Sequence, residues 1–267
     1  MATPLWITLI IGCIIAIIFG IIFGFYLLQE ALIFNPVKLN KEFKFHFERP
    51  FIERWFNVSE TIRLNAIHFK VDQPKGLLFY LHGNAENVKY YGEEIQHLTD
   101  YGYDILLFDY RGFGKSDGKI RRERELQRDA KIIYQEMMKE YDEANIVIYG
   151  YSLGTGIAAR LANRNQPKAL ILETPYYNFI DLIRCHKAYL PADLITKYKF
   201  RTDRYLDQVN CSIYLFHGTE DKQVPYNSAV KLSTLHPKAT FVSIDGGTHN
   251  DLMSFPEYKK AIATVLN

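Results

Sequence analysis

Six short apolar runs punctuate the chain: Leu77–Leu81, Ile105–Phe108, Ile146–Tyr149, Ala169–Leu172, Ile213–Phe216 and Phe241–Ile244. They are continuous rather than alternating with polar residues, so each predicts a strand buried on both faces. Between most of them lie stretches with apolar residues at helical spacing, such as Leu126–Tyr141 and Ser152–Asn163. A strand buried on both sides needs cover above and below, and crossover helices between parallel strands supply it. The pattern predicts an α/β chain with a mostly parallel central sheet and helices on both faces.

The flanking segments add to this frame. From Phe43 to Val71 the chain reads as strand, turn, strand. Phe43, Phe45 and Phe47 alternate with Lys44, His46 and Glu48, and Ile62, Leu64 and Ala66 alternate with Arg63, Asn65 and Ile67. Period-two alternation predicts an antiparallel edge pair with one wet face. The connection from Thr174 to Ser212 is longer than a crossover helix needs. It is rich in aromatics, among them Tyr176, Phe179, Tyr189, Tyr198 and Phe200, and predicts a short cap over residues 174–212, above the sheet edge where open α/β sheets bind ligands. With 267 residues, 48% apolar and 23% charged, the chain is long enough for one large core and too apolar for intrinsic disorder.

A different solvent is implied at the N-terminus. Leu5 to Leu28 is 24 residues without a charge. As a helix it spans about 36 Å, against about 30 Å of bilayer hydrocarbon. A cleaved signal peptide would carry a basic start, a shorter apolar core and a small-residue exit, and this segment leaves through Gln29-Glu30. The expectation is an uncleaved single-pass transmembrane helix in residues 1–34, followed by one domain over residues 35–267. No basic side chain precedes the span, whereas Lys38, Lys41, Lys44 and Arg49 follow it, which predicts a cytosolic C-terminal domain at a membrane. Three cysteines, one of them in the apolar run, make neither a disulfide framework nor a structural zinc site. A formal charge of +2 leaves no electrostatic footprint for nucleic acid. The basic run Lys119–Arg124 with Arg128 and Lys131 invites contact with anionic lipid headgroups, but the interspersed Glu123, Glu125 and Asp129 favour a solvated helix face.

Chemistry concentrates at three points. Gly150-Tyr151-Ser152-Leu153-Gly154 stands between an apolar strand and a helix. Gly-x-Ser-x-Gly in that context is the nucleophile elbow, a tight turn that lifts the serine oxygen into a crevice. A hydroxyl is a weak nucleophile and needs a base oriented by a third group. Asp221 follows the strand Ile213–Phe216, and His249 follows the strand ending at Ile244, in the order serine, acid, histidine. The alternatives are a helix N-cap for Ser152, which its strand-to-helix context disfavours, a turn or N-cap acid for Asp221 and a helix N-terminal residue for His249; Glu220 is a rival acid, but Asp221 sits in the better-matching place. Together they emerge at one sheet edge. Two backbone donors are needed for a developing oxyanion. Leu153, after the serine, offers one. The loop His82-Gly83-Asn84-Ala85 after Leu77–Leu81 offers the other, from Asn84 ahead of Ala85. His82 reads as a loop-bonding residue and His217 as a packing residue.

These motifs, with Asp109-Tyr110-Arg111-Gly112-Phe113-Gly114-Lys115-Ser116, His217-Gly218-x-x-Asp221-x-x-Val224-Pro225 and Gly247-Thr248-His249, resemble the α/β-hydrolase superfamily from Phe43 to Leu266. The set looks like the branch of serine aminopeptidase-like, monoacylglycerol-lipase-like and membrane-anchored depalmitoylase-type enzymes. The resemblance implies the α/β-hydrolase fold, a Ser152–Asp221–His249 triad and an oxyanion hole at Asn84 and Leu153. It implies hydrolysis of esters or thioesters of acyl, lipid-type substrates, with no metal or organic cofactor. A peptidase or amidase would use the same residues, and a non-catalytic scaffold would ordinarily have lost one of them.

Overall fold

The structure, a computed structural model, describes residues 4–187 and 190–267. Tyr189 of the aromatic-rich connection lies outside the described residues, as do the first three residues of the N-terminal segment. Helix α1 (Leu5–Ile33) has 29 residues and is long and apolar enough to cross a membrane; none of its most apolar window is buried.

The predicted apolar runs are all strands, extended at some ends by one or two residues. The strands β1 (Phe51–Ser59), β2 (Ile62–Phe69), β3 (Leu77–Leu81), β4 (Asp104–Phe108), β5 (Ile146–Tyr151), β6 (Ala169–Glu173), β7 (Ser212–Gly218) and β8 (Thr240–Ile244) form one sheet in the order β8-β7-β6-β5-β3-β4-β2-β1. Strands β3 to β8 run parallel, and β2 and β1 are added antiparallel at one edge. The helices are α2 (Val88–Ile95), α3 (Glu123–Met137), α4 (Leu153–Ala162), α5 (Phe179–His186), α6 (Ala192–Ile195), α7 (Thr202–Tyr205), α8 (Asn227–Leu235) and α9 (Pro256–Leu266).

Why the runs had to be continuous is visible in β3. Leu77, Phe79 and Leu81 enter the core shared with α3 and α4, while Leu78 and Tyr80 enter the core under α2 and α9. Helix α3 starts three residues earlier than its apolar periodicity, because Glu125 accepts the backbone N–H groups of Arg121 and Arg122 and closes the first turn.

One expected strand is absent. Phe43–Glu48 joins no ladder, and the partner of β2 is β1 instead. The alternation there has another cause: Phe45 is buried, and Phe47 lies 5.0 Å from both the Phe51 and Phe69 rings. One-sided burial of an extended segment against aromatic rings produces the same period as strand pairing.

The end of α1 is bound to the globular part rather than hanging from it. Gln29, the buried residue of α1, donates to Ile195 O at 2.7 Å and accepts from Lys197 N–H at 2.8 Å. Glu30 accepts from Lys197 Nζ and from the Tyr198 hydroxyl, at 3.1 and 2.9 Å. Asn35–Pro36 then pair in parallel with Ala85–Glu86, the segment just after Asn84.

Candidate active site

In the parallel part of the sheet the chain leaves β3 toward β4 on one side and returns to β5 on the other. Between β3 and β5 the winding therefore reverses, and open α/β sheets bind ligands in the crevice at the carboxyl ends of such strands. Asn84 follows β3 and Ser152 follows β5, so both lie at this reversal.

The elbow is tight because its glycines leave no room. A Cβ on Gly154 would lie 2.0 Å from Leu81 O, so α4 begins in backbone contact with the end of β3. Ser152 itself has φ +48° and ψ −114°, a conformation that costs a non-glycine residue about 1–3 kcal/mol. Three hydrogen bonds to its backbone hold it there. Ser152 N–H donates to Glu173 O at 3.0 Å, and Thr155 returns to Ser152 O with its N–H and hydroxyl at 3.0 and 2.7 Å.

The structure brings Ser152, His249 and Asp221 together, all buried. His249 Nε2 is 3.0 Å from Ser152 Oγ, and His249 Nδ1 is 2.7 Å from Asp221 Oδ2. A carboxylate beside Nδ1 places the ring proton there, leaving the Nε2 lone pair to accept from the serine hydroxyl. The loops after β7 and β8 that carry the acid and the base touch through backbone: a Cβ on Gly218 would be 2.1 Å from Gly247 O. Glu220 is exposed and contributes only its backbone N–H, to Gly247 O.

Asp221 has more partners than the base. Its Oδ1 accepts from Gln223 N–H and Val224 N–H, both at 2.8 Å. His217 Nε2 lies 3.2 Å from Oδ2 and 2.9 Å from Val224 O, so acceptors on both sides place the His217 proton on Nε2. Burial alone would raise the Asp221 carboxyl. The bonds from His217 and His249, with Val224 N–H, outweigh it and hold the group well below the usual carboxylate range. Reading His217 as a packing residue missed this contact; the available signal was its place four residues before the acid.

The loop after β3 is braced from beneath. His82 is fully buried, its Nδ1 lies 2.8 Å from Gly83 O, and burial lowers its pKa to about 3, so the ring is neutral. The Tyr110 hydroxyl donates to His82 O at 2.8 Å, which ties the Asp109–Ser116 loop to the one bearing Asn84. Asp109 in turn accepts Val88 N–H at 2.9 Å and so starts α2. Asn84 is exposed and donates through Nδ2 to Ile33 O at 2.7 Å. Leu153 opens α4, where the first N–H groups of a helix have no intrahelical acceptor.

Two further groups gave no sequence signal. The Tyr151 hydroxyl donates to Asn250 Oδ1 at 2.7 Å, and its ring stands 5.5 Å from His249. Glu173 is buried at the end of β6, where burial raises its pKa to about 7 against hydrogen bonds from Tyr149 and Tyr258. In the basic run, Asp129 is buried and Glu123 and Glu125 are half-buried, each taken up by a partner. Asp129 takes Arg111 at 2.6 Å, and Glu123 accepts Lys199 and Phe200 N–H, while Arg121, Arg122, Arg124 and Arg128 stay exposed.

A serine in a strained strand-to-helix turn, a histidine–carboxylate pair from two later loops and this sheet order make up the α/β-hydrolase fold with the site arrangement of a serine hydrolase. Residues 72–201 match the family model described as Serine aminopeptidase, S33. Among curated relatives, the zebrafish (Danio rerio) lysophosphatidylserine lipase ABHD12 is 32% identical over 183 residues, covering 60% of this chain and 47% of the relative. The chain thus spans about half the length of the lysophosphatidylserine lipases it matches. The uncharacterized protein R595 of Acanthamoeba polyphaga mimivirus is 28% identical over 80% of each chain. The fold is shared with the Pyrococcus furiosus esterase Pf2001, at a TM-score of 0.69 and 18% identity over 88% of this chain and 97% of that one. It is also shared with an α/β-hydrolase from Vibrio vulnificus, at 0.65 and 24% over 80% of each.

Proposed function

We propose that the protein is a membrane-anchored serine hydrolase that cleaves esters or thioesters of acyl, lipid-type substrates through an acyl-enzyme on Ser152. The observation that carries this reading is the Ser152–His249–Asp221 relay, at 3.0 and 2.7 Å. His249 takes the hydroxyl proton as Ser152 attacks the carbonyl, and Asp221 fixes the imidazole and stabilises its charged form. Backbone N–H groups of Leu153 and Asn84 stabilise the tetrahedral oxyanion, and the contact of Gly154 with Leu81 O supports pairing them. His249 protonates the leaving group, then activates the water that releases the acyl chain.

Lipid-type substrates are favoured by the groove beside the site. Its lining combines apolar side chains from α1 and α5 and carries no carboxylate to receive a free amino terminus. Being named lysophosphatidylserine lipases, the curated relatives point the same way. Helix α1 is the anchor of residues 1–34. The hydrolase domain follows over residues 35–267, with a cap at 174–212, and the basic residues after the span put it on the cytosolic side. The test offers the full-length protein matched acyl esters, thioesters and amides beside its Ser152→Ala variant. Ester or thioester turnover that disappears with Ser152 supports the reading. Faster cleavage of amides, or of peptides with a free N-terminus, moves the protein to the peptidase class.

A further inference from the structure

We infer that the last turns of α1 form one wall of the site that binds the substrate's acyl chain, so that the membrane helix is part of the enzyme's specificity pocket as well as its tether. The inference rests on the hydrolase reading above and deepens it.

A groove of about 370 Å³ runs between α1 and the segment around α5 and α6, within the usual size range of small-molecule sites. Phe25, Gln29, Leu32 and Ile33 line one side, a spacing that places them along one face of the helix. Phe179, Leu182 and Ile183 of α5 line the other, with Ile195 of α6.

Three connections join the groove to the three legs of the candidate site. Asn84 belongs to its lining and bonds Ile33 O at 2.7 Å. Phe179 meets the Tyr176 ring edge-on at 5.4 Å, and the Tyr176 hydroxyl donates to Leu153 O at 3.1 Å. On the far side, the His186 Nε2–Gln223 O contact of 2.8 Å leads to Gln223 N–H, which donates to Asp221 Oδ1. Asn84 is thus common to the groove and the candidate site, so an acyl group on Ser152 that passes Asn84 enters an apolar groove. The wall is fixed as well as near, through the bonds of Gln29 and Glu30 to Ile195, Lys197 and Tyr198.

Helix length places this wall at the membrane surface. The 29 residues of α1 span about 44 Å, and a hydrocarbon core takes about 30 Å of that from the N-terminal end. The remaining turns begin near Phe25, where the groove begins. A straight apolar chain leaving the bilayer alongside α1 reaches the groove without crossing water. The lining has the chemistry for such a chain and carries no acidic group.

The test uses the detergent-solubilised full-length protein and monomeric 4-nitrophenyl esters. It reads the ratio of kcat/KM for decanoate over acetate, which cancels differences in folded fraction between preparations. Bulk placed in the groove from either wall, by Leu32→Trp or Leu182→Trp, lowers that ratio tenfold or more. Leu27→Trp, on a part of α1 that does not line the groove, leaves it unchanged. A Leu32→Trp ratio within twofold of wild type overturns the inference. Failure of the hydrolase reading looks different: Ser152→Ala would retain acetate turnover.

Discussion

Asp221→Asn isolates what the acid does, because the surrounding bonds dictate how the new amide must sit. Oδ1 accepts two backbone N–H groups, from Gln223 and Val224, both at 2.8 Å. Only the amide oxygen can take that place, since an NH₂ there would face two donors in a buried pocket. The NH₂ is thus forced into the Oδ2 position, 2.7 Å from His249 Nδ1, where it donates to that nitrogen while His217 Nε2–H keeps Val224 O as its acceptor. The imidazole proton moves to Nε2, which can no longer accept from Ser152 Oγ. Wrong-tautomer substitution in the serine-protease triad costs about 10⁴ in turnover, equivalent to about 5.5 kcal/mol of barrier. We expect a loss of that order in kcat/KM for a short soluble ester, with the circular dichroism spectrum retained. Glu220→Gln should stay close to wild type. A folded Asp221→Asn protein within tenfold of wild-type activity would refute the tautomer argument.

Glu173 has a pKa of about 7 in the fold against an ordinary 4.5, because burial penalises the carboxylate. The folded state therefore binds the proton more readily, so the stability linked to this group is complete below pH 4.5 and is lost as pH rises through 7. The span amounts to about 3 kcal/mol. Denaturant titrations at pH 5 and pH 8 should show that loss in the wild type and a smaller one in Glu173→Gln; equal losses would remove Glu173 as the cause. Gly154→Ala places a methyl 2.0 Å from Leu81 O, and neither partner is a flexible side chain. Its melting temperature should fall by many degrees, and a variant as stable as wild type would contradict the close contact. A fragment beginning at Asn35 should keep hydrolysing acetate esters while losing activity on acyl substrates held in vesicles, with equal vesicle activity reducing α1 to a targeting role.

How much of this could be read from the sequence follows from the range of each interaction. Strands β3 to β8 were legible because burial on both faces leaves a continuous apolar run, and Ser152, Asp221 and His249 because each lies just beyond such a run. Phe43–Glu48 was misread as a strand because period two reports one-sided burial, whatever the backbone pairs with. The His217–Asp221 contact showed only as a four-residue spacing, and the fixing of Gln29 by Ile195 and Lys197 left no trace at all. The second of these spans 166 residues in sequence, and no local pattern encodes a partner so distant. The burial of Asp129 against Arg111 and the pairing of Glu123 and Glu125 with backbone N–H groups were hidden for a related reason: composition counts charges without saying what they bond.

In this site Ser152 is proposed as a nucleophile made reactive by His249. The most direct measurement is covalent: incubate the full-length protein with a fluorophosphonate probe and map the adduct by peptide mass spectrometry. We expect one probe per chain, on Ser152, with labelling abolished in Ser152→Ala and strongly slowed in His249→Ala. Stoichiometric labelling of Ser152→Ala, or an adduct on another residue of the wild type, would contradict it.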